Sequence, residues 1–377
     1  MHIVLDAHLI SSAAGYRNAG VSIYSRHLIA ALGELVQQGE TAHRFSALVH
    51  TPELVCPGVT LVQGPKLLER PTVRIAWEQV RLPRLLTRLQ ADLVHGLVNV
   101  LPLRTRVPGV VTVHDLSFVR YPRLFPVLKR LYLTAFCRAS VWQARRVLAV
   151  SHQTAADVTH YFGVDPARVV VAPNGVAPNF TPGDPAAIEE FRHRLGLPAR
   201  YWLYVGTLEP RKNLPLLLEA FARRQSRAAP TERDVHLVLV GGKGWAFDGI
   251  FAQVERLGLT EYVRFPGFIP ATELPDWYRA AELFLYPSTF EGFGLPVAEA
   301  MACGTPVVCS NAPGVREVAG TAAWQVPPDD VEAWAVALER LAGDASRRAA
   351  LAEAGRRQAA LFTWPATARM TVAAYEQ

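Results

Sequence analysis

Sulfur is scarce in this chain of 377 residues, which holds four cysteines and three methionines. Cys56, Cys137, Cys303 and Cys309 are scattered and lack the CxxC spacing of zinc or redox sites, so they read as reduced core residues. No apolar run approaches the roughly 20 residues that a bilayer span needs, because Arg, Asp, Gly or Pro interrupts each one. The apolar stretch at residues 3–5 has no basic segment before it and is too short for a secretory signal. A cytoplasmic location is therefore expected. No repeat of short period occurs, and no Asp-x-Asp pair. Signatures of RNA-recognition, zinc-finger or helix-turn-helix modules are missing as well, which argues against nucleic acid as a partner despite a net charge of +6.

That charge is unevenly placed. Residues 1–180 carry 19 Lys and Arg against 10 Asp and Glu, and the remainder carries 20 against 23. A basic first half suits an anionic membrane face or an acidic acceptor better than a uniform surface would.

The length exceeds what one hydrophobic core usually serves, so two domains are expected. Short apolar runs alternate with longer amphipathic ones, the rhythm of strand-helix units around parallel sheets in an α/β protein. Strands are predicted at residues 2–5, 45–50, 92–95, 110–114, 146–150 and 169–172, with helices at 21–35 and 127–144. The Pro-rich segment 173–182 interrupts this rhythm and marks a linker. Beyond it, strands are predicted at 201–205, 235–240, 262–265, 283–286 and 306–309. Helical patterns fill 331–362, and Pro365 suits the first turn of a last helix ending near Tyr375.

The densest chemical signal is TFEGFGLPVAEAMACGTP at residues 289–306. A strand runs into a loop with Gly292 and Gly294, then into a helix from about Leu295. Glycines there permit close backbone approach, and the free amides at a helix start attract phosphate. Glu291 lies in the loop and Glu299 in the helix. Upstream, VGTLEPRKN at 205–213 is a strand followed by a loop that carries Arg211 and Lys212 beside Gly206. Cations there can neutralise charge on a departing diphosphate. In the first half, VVTVHDL at 110–116 ends a buried strand in His114 and Asp115, at the strand end where open α/β sheets bind ligands. Asp115 is placed to orient His114. RNAGV at 17–21 precedes a helix, and Asn18 and Gly20 are candidates to line a cleft.

Two glutamates with seven residues between them, set in EGFGLPVAEAMACGTPVV, resemble the signature of the retaining GT-B glycosyltransferases of family GT4. The other family segments follow in order along nearly the whole chain. The resemblance implies two Rossmann-like, doubly wound domains facing across a cleft. Residues 1–175 would form the acceptor side, with helix 364–377 packing back on it, and 176–363 would bind the donor. By matching position, Glu291 contacts the transferred sugar, Glu299 the ribose, and Phe293, Gly294 and Leu295 the sugar and diphosphate. Lys212 matches the family lysine at the diphosphate. Thr207 departs from the arginine that many relatives carry after Gly206, which raises the question of whether Arg211 supplies that charge. Gly267, Phe268 and Ile269 resemble the loop whose backbone reads the donor base, and His114 resembles a cleft residue that acts on donor sugar or acceptor.

The implied reaction is transfer of a hexose, with retention, from a nucleotide diphosphate sugar to a glycan or lipid-linked hydroxyl. GTLEPRKN and HDLSF have the look of bacterial polysaccharide-assembly mannosyltransferases, which favours GDP-mannose and leaves UDP-sugars open. No cofactor or essential metal is expected. A basic helix at 127–146 suits peripheral membrane contact. The rival readings are a nucleotide-sugar epimerase of the same architecture, which would turn over donor alone, and a non-catalytic sugar-binding or partner protein.

Overall fold

A computed structural model describes residues 1–10, 20–50, 55–229, 233–244 and 247–377; Asn18 lies outside them. Two compact units emerge. Unit 1 extends to Gly175 and takes in Thr363–Gln377, while unit 2 comprises Val176–Phe362.

Unit 1 is built on β1 (His2–Asp6), β2 (Arg44–Val49), β3 (Val59–Gln63), β4 (Leu93–Gly96), β5 (Gly109–Val113), β6 (Arg146–Ala149) and β7 (Val169–Val171). They form one sheet in the order β3-β2-β1-β4-β5-β6-β7. Central β1 pairs in parallel with β2, His2 opposite Arg44, and with β4, Ile3 opposite Leu93. Ile3, Val4, Leu5, Val110, Val111 and Val113 are fully buried, as continuous apolar strands covered on both faces must be. The sequence pattern did not mark β3. Its VTLVQ is an edge strand with Thr60 and Gln63 exposed, so it lacks the unbroken apolar run of the central strands.

The helix Val21–Gln37 buries Tyr24, Leu28, Ile29, Leu32 and Leu35, a helical stripe laid against the sheet. The helix His152–Phe162 starts where the Ser151 hydroxyl accepts the Thr154 amide at 3.0 Å, an ordinary N-cap. The last helix, Trp364–Glu376, packs on Val21–Gln37 within unit 1. Its Tyr375 hydroxyl is 2.7 Å from His95 Nδ1, and His95 Nε2 is 2.8 Å from the Thr112 hydroxyl. The Tyr24 hydroxyl reaches the same threonine at 3.0 Å. These buried polar groups are thus satisfied by one another, and they tie the chain's end to β4 and β5.

Unit 2 repeats the scheme with β8 (Tyr201–Val205), β9 (His236–Val240), β10 (Val263–Gly267), β11 (Leu283–Tyr286), β12 (Val307–Ser310) and β13 (Trp324–Val326), ordered β10-β9-β8-β11-β12-β13. The short β13 also escaped the sequence pattern, since three residues hold too little periodicity to read. The helical stretch expected over 331–362 is two helices, Val331–Gly343 and Ala345–Ala359. Asp344 separates them because its carboxylate accepts the Arg347 amide at 2.9 Å and the Ser346 hydroxyl at 2.7 Å, which caps the second helix.

Both orders have one consequence. The chain first builds outward from β1 or β8 to one side, then crosses to the other, so the order reverses between β1 and β4 in unit 1 and between β8 and β11 in unit 2. Ligands of open α/β sheets bind beyond the carboxyl ends of the strands at such reversals.

Tyr375→Phe would leave one nitrogen of buried His95 without its partner. An unpaired buried polar group costs about 1–3 kcal/mol, so urea unfolding of this variant should shift to lower denaturant. An unchanged midpoint would show that the contact contributes nothing.

Candidate functional site

At the reversal point of unit 2, the chain leaves β8 through Gly206 and Thr207. The Gly206 amide donates to the Val240 carbonyl at 2.9 Å and the Leu208 amide to Gly242 at 3.0 Å, which pins this loop to the one after β9. Residues Pro210–Lys212 make a single 3-10 turn, and Asn213, left-handed at φ 57°, starts the helix Leu214–Arg227. Asparagine tolerates that conformation better than most residues. Its side-chain amide donates to the carbonyls of Pro287 at 3.2 Å and Pro328 at 2.6 Å, fastening the loop after β8 to the loop after β11.

That second loop carries Glu291 and ends at Gly294, whose φ of 101° a side chain would resist. The helix Leu295–Ala302 follows, with no side chain capping its amino end. Gly314, in the helix Pro313–Ala319, backs onto the loop so closely that a Cβ there would lie 2.1 Å from the Glu291 carbonyl oxygen.

Glu291 is the centre of the arrangement. Its Oε1 accepts Lys212 Nζ at 2.5 Å and the Tyr286 hydroxyl at 2.9 Å, and its Oε2 accepts Arg211 Nη1 at 2.9 Å. The Glu291 and Lys212 side chains are each 9% exposed. Burial alone would raise the carboxyl, but the charges of Arg211 and Lys212 outweigh it and hold the group down at about 2. Burial lowers the Lys212 ammonium and Arg211 adds to that, against the pull of Glu291. With a cation on each oxygen, the carboxylate is the better anchored charge and stays ionised.

Arg211 does reach the site. Its Nη1 also donates to the Phe290 carbonyl at 2.8 Å, and its Nε and Nη2 reach Glu209 Oε1 at 3.1 and 2.9 Å. Glu299, one turn into its helix, accepts the Tyr278 hydroxyl at 2.9 Å on Oε2. Burial raises its carboxyl to about 7, with the tyrosine bond pulling the other way. Gly267 closes β10 with its carbonyl bound to the Gly241 amide at 2.8 Å; Phe268 and Ile269 follow, half-buried, at the same edge of the sheet. Unit 2 therefore brings Glu291, Arg211 and Lys212 into direct contact and places Thr207, Gly267–Ile269 and Phe293–Glu299 along the same carboxyl edge.

Sequence reasoning missed Glu209, Tyr278 and Tyr286. A signal existed for Tyr286, since a tyrosine ending an apolar strand puts its hydroxyl at the sheet's carboxyl edge. Glu209 sits inside the GTLEPRKN segment.

In unit 1, His114 follows β5. Its Nε2 is 2.9 Å from the Leu97 carbonyl, its amide donates to Asn99 Oδ1 at 3.0 Å, and its ring meets Tyr24 edge-on at 4.6 Å. Burial lowers its pKa, with Leu97 and Asp115 opposing, so the ring is neutral. The bond to Leu97 puts the proton on Nε2 and leaves Nδ1 as an acceptor. The expected orienting role of Asp115 is corrected. Its Oδ1 instead accepts the Ser117 amide at 2.9 Å and hydroxyl at 2.6 Å, while the Leu97–Asn99 segment and Tyr24 hold the histidine. Gly20 heads the helix Val21–Gln37 with open space where a Cβ would stand.

Both halves of the chain are similar to known proteins. The family described as Glycosyl transferases group 1 matches residues 187–358, and Glycosyltransferase Family 4 matches residues 20–180. The chain is 35% identical over 284 residues to the O-antigen chain mannosyltransferase B of Escherichia coli, spanning 75% of this chain and 73% of that one. It is 36% identical over 243 residues to the D-inositol 3-phosphate glycosyltransferase of Thermobispora bispora, spanning 62% of this chain and 56% of that one. The sucrose-phosphate synthase of Thermosynechococcus elongatus shares the fold, with a TM-score of 0.80 at 24% identity over 100% of this chain and 98% of that one. Two parallel Rossmann-like sheets of this kind are the GT-B architecture. Both halves of the chain match their family, and the chain belongs to the family 4, group 1 glycosyltransferases.

Proposed function

We propose that this glycosyltransferase moves a hexose, with retention, from a nucleotide diphosphate sugar to a hydroxyl of a glycan or lipid-linked acceptor. GDP-mannose is the favoured donor, supported by the similarity to an O-antigen mannosyltransferase, and a UDP-sugar is the alternative. The observation that carries the reading is the buried Glu291 carboxylate held between Lys212 and Arg211 at the reversal point of the unit 2 sheet.

The chemistry divides among these residues. Glu291 accepts hydroxyl hydrogen bonds from the hexose, charge-assisted and so about twice as strong as neutral ones. Lys212, with Arg211 and the uncapped amides before Leu295, meets the charge that grows on the diphosphate as the bond from C1 to phosphate oxygen breaks. The acceptor oxygen bonds to C1 on the same face, and its proton passes to the departing phosphate oxygen. No separate base is needed, and the reading assigns no step to a metal or cofactor. Glu299 takes the ribose through Oε1, the oxygen that Tyr278 leaves open, and the backbone of Gly267–Ile269 takes the base. His114 offers Nδ1 to a sugar hydroxyl. Unit 1 would carry the acceptor.

Glu291→Gln keeps the shape and loses the charge; transfer should fall at least about a hundredfold, and the thermal midpoint should fall as well because Lys212 and Arg211 are left without their counter-ion, while circular dichroism still shows the folded parent's spectrum. In Lys212→Ala, calorimetry should show nucleoside diphosphate binding weakened by about 10- to 100-fold, the equivalent of one charged hydrogen bond. Normal turnover in the first and unaltered affinity in the second would remove both residues from the site.

Glu299 binds the ribose best as a carboxylate, and below its pKa of about 7 the proton must first be lost. Between pH 7.5 and 5.5 nucleotide affinity should drop about 20-fold more in the parent than in Glu299→Gln. Parallel profiles would refute the contact.

No helix among the described residues is long and apolar enough to cross a membrane. Peripheral contact is supported by the helix Val127–Gln143, which exposes Leu128 at 83% and Val127, Leu131 and Trp142 at 55–60% beside Lys129, Arg130 and Arg138. An exposed apolar and basic helix suits an anionic bilayer surface. Vesicles with anionic lipid should retain the parent protein and release a Leu128→Ser, Leu131→Ser double variant; equal retention would assign the binding elsewhere.

A further inference from the structure

The reversal point of the unit 1 sheet holds a cavity that the proposed reaction does not yet use. It has a volume of about 80 Å³ and lies beyond the carboxyl ends of β1 and β4, lined by Asp6, Arg74, Glu78, Asn99 and Tyr132 among others. Asp6 is the last residue of β1, and Asn99 follows β4. Arg74 and Glu78 face each other one turn apart on the helix Pro71–Val80, with Nε and Oε1 3.2 Å apart.

Its polar groups are buried but only partly engaged. The Asp6 side chain is 10% exposed and meets His8 Nδ1 at 2.6 Å, through Oδ1. Among the described residues, no partner engages its Oδ2. Glu78 is 11% exposed at its side chain, and among the described residues only its Oε1 is engaged, by Arg74. Asn99 holds a left-handed backbone at φ 57°, which asparagine tolerates better than most residues. The same residue binds the His114 amide, so the cavity and the histidine share one wall.

We propose that this cavity is a subsite for a vicinal diol of the acceptor, a neutral polyhydroxy group, gripped by Asp6, Glu78 and Arg74. The proposal rests on the transferase reading above. Two carboxyl groups and one guanidinium supply both acceptors and donors, which a pair of adjacent hydroxyls can satisfy. A volume of about 80 Å³ leaves room for the hydroxyl groups of a sugar.

The charges also favour a neutral guest. Glu78 faces Asp6 from β1, Arg74 from its own helix and Tyr132 from the helix Val127–Gln143; beyond Asp6 stands His8, whose ring lies 4.5 Å from Trp77, with His50 next to it. Burial first, and then the charge of Asp6, raise the Glu78 carboxyl to about 8, with Arg74 opposing. At neutral pH the three groups therefore hold one negative charge, one positive charge and one carboxylic proton that can be donated to a hydroxyl. A phosphate placed there would meet Asp6 directly.

The test is saturation-transfer NMR on the full chain with methyl α-D-mannopyranoside, without nucleotide. The glycoside should bind in the millimolar range and weaken about tenfold from pH 7 to 9 as Glu78 loses its proton. Glu78→Gln, which keeps a donor and an acceptor, should bind with no such pH trend, and Asp6→Asn should bind at least fivefold more weakly at both pH values. No binding by the parent, equal affinity in Asp6→Asn, or a pH trend that survives Glu78→Gln would each overturn the subsite. Tighter binding of mannose 6-phosphate that depends on Arg74 would overturn it too, in favour of an anion site. If Asp6→Asn fails to fold, the Glu78→Gln profile decides alone. Binding of GDP and UDP, measured on the same samples, reports on the unit 2 site independently: its absence in the parent would strike the transferase reading, and its presence with a failed glycoside result would strike only the subsite.

Discussion

A carboxylate buried between two cations is the constraint around which unit 2 is organised. Taking a charge out of water costs several kcal/mol per ion even after relaxation, and Glu291 recovers that only if Arg211 and Lys212 arrive on its two oxygens together. The cations belong to the loop after β8 and the carboxylate to the loop after β11, so neighbouring strands must be in register for the charges to meet. Several local features serve that one need. The Asn213 amide bonds one loop to the other, and Gly314 lets a helix support the Glu291 backbone at a distance no side chain would allow. A variant that loses one member of the cluster strands the others, and the effects of single substitutions there will not add.

The two units reach comparable sites by the same route. In each, the strand order reverses beside the first strand, where the loops after the first and fourth strands diverge. Topology alone fixes the position, whereas the side chains delivered there set the chemistry. Unit 2 delivers Arg211, Lys212 and Glu291, and unit 1 delivers Asp6, Glu78, Arg74 and, along the wall made by residues 97–99, His114.

Much of this could be read in the chain beforehand, for identifiable reasons. The central strands announced themselves because burial on both faces demands uninterrupted Val, Leu and Ile, as in Ile3 to Leu5 and Val110 to Val113. Edge strands did not, since β3 is half exposed and β13 is three residues long. Glu291, Lys212 and Glu299 were legible because they fall in short segments with glycine and proline at fixed offsets. Arg211 was legible as a nearby cation, but its two carboxylate partners were not, because Glu209 and Glu291 converge on it only once the loops are folded. The same limit explains Asp115, whose proximity in sequence to His114 suggested a bond that the first turn after β5 directs to Ser117. Asp6 and Glu78 are 72 positions apart in sequence, and no local pattern could have paired them.

The protonation states divide between the units in a way that matches their proposed guests. Around the Glu291 site, opposite charges close enough to bond keep the groups ionised against the pull of burial, which suits the anionic donor proposed for it. In unit 1, burial prevails. His114 stays neutral and Glu78 holds its proton at neutral pH, so the groups flanking the 97–99 segment exchange hydrogen bonds without adding net charge. In the proposed reaction the acceptor hydroxyl is neutral until the departing phosphate takes its proton. Under the proposed transfer, a neutral His114 and a protonated Glu78 would leave the hydroxyl's proton to the departing phosphate, which ties proton transfer to the breaking of the sugar–phosphate bond.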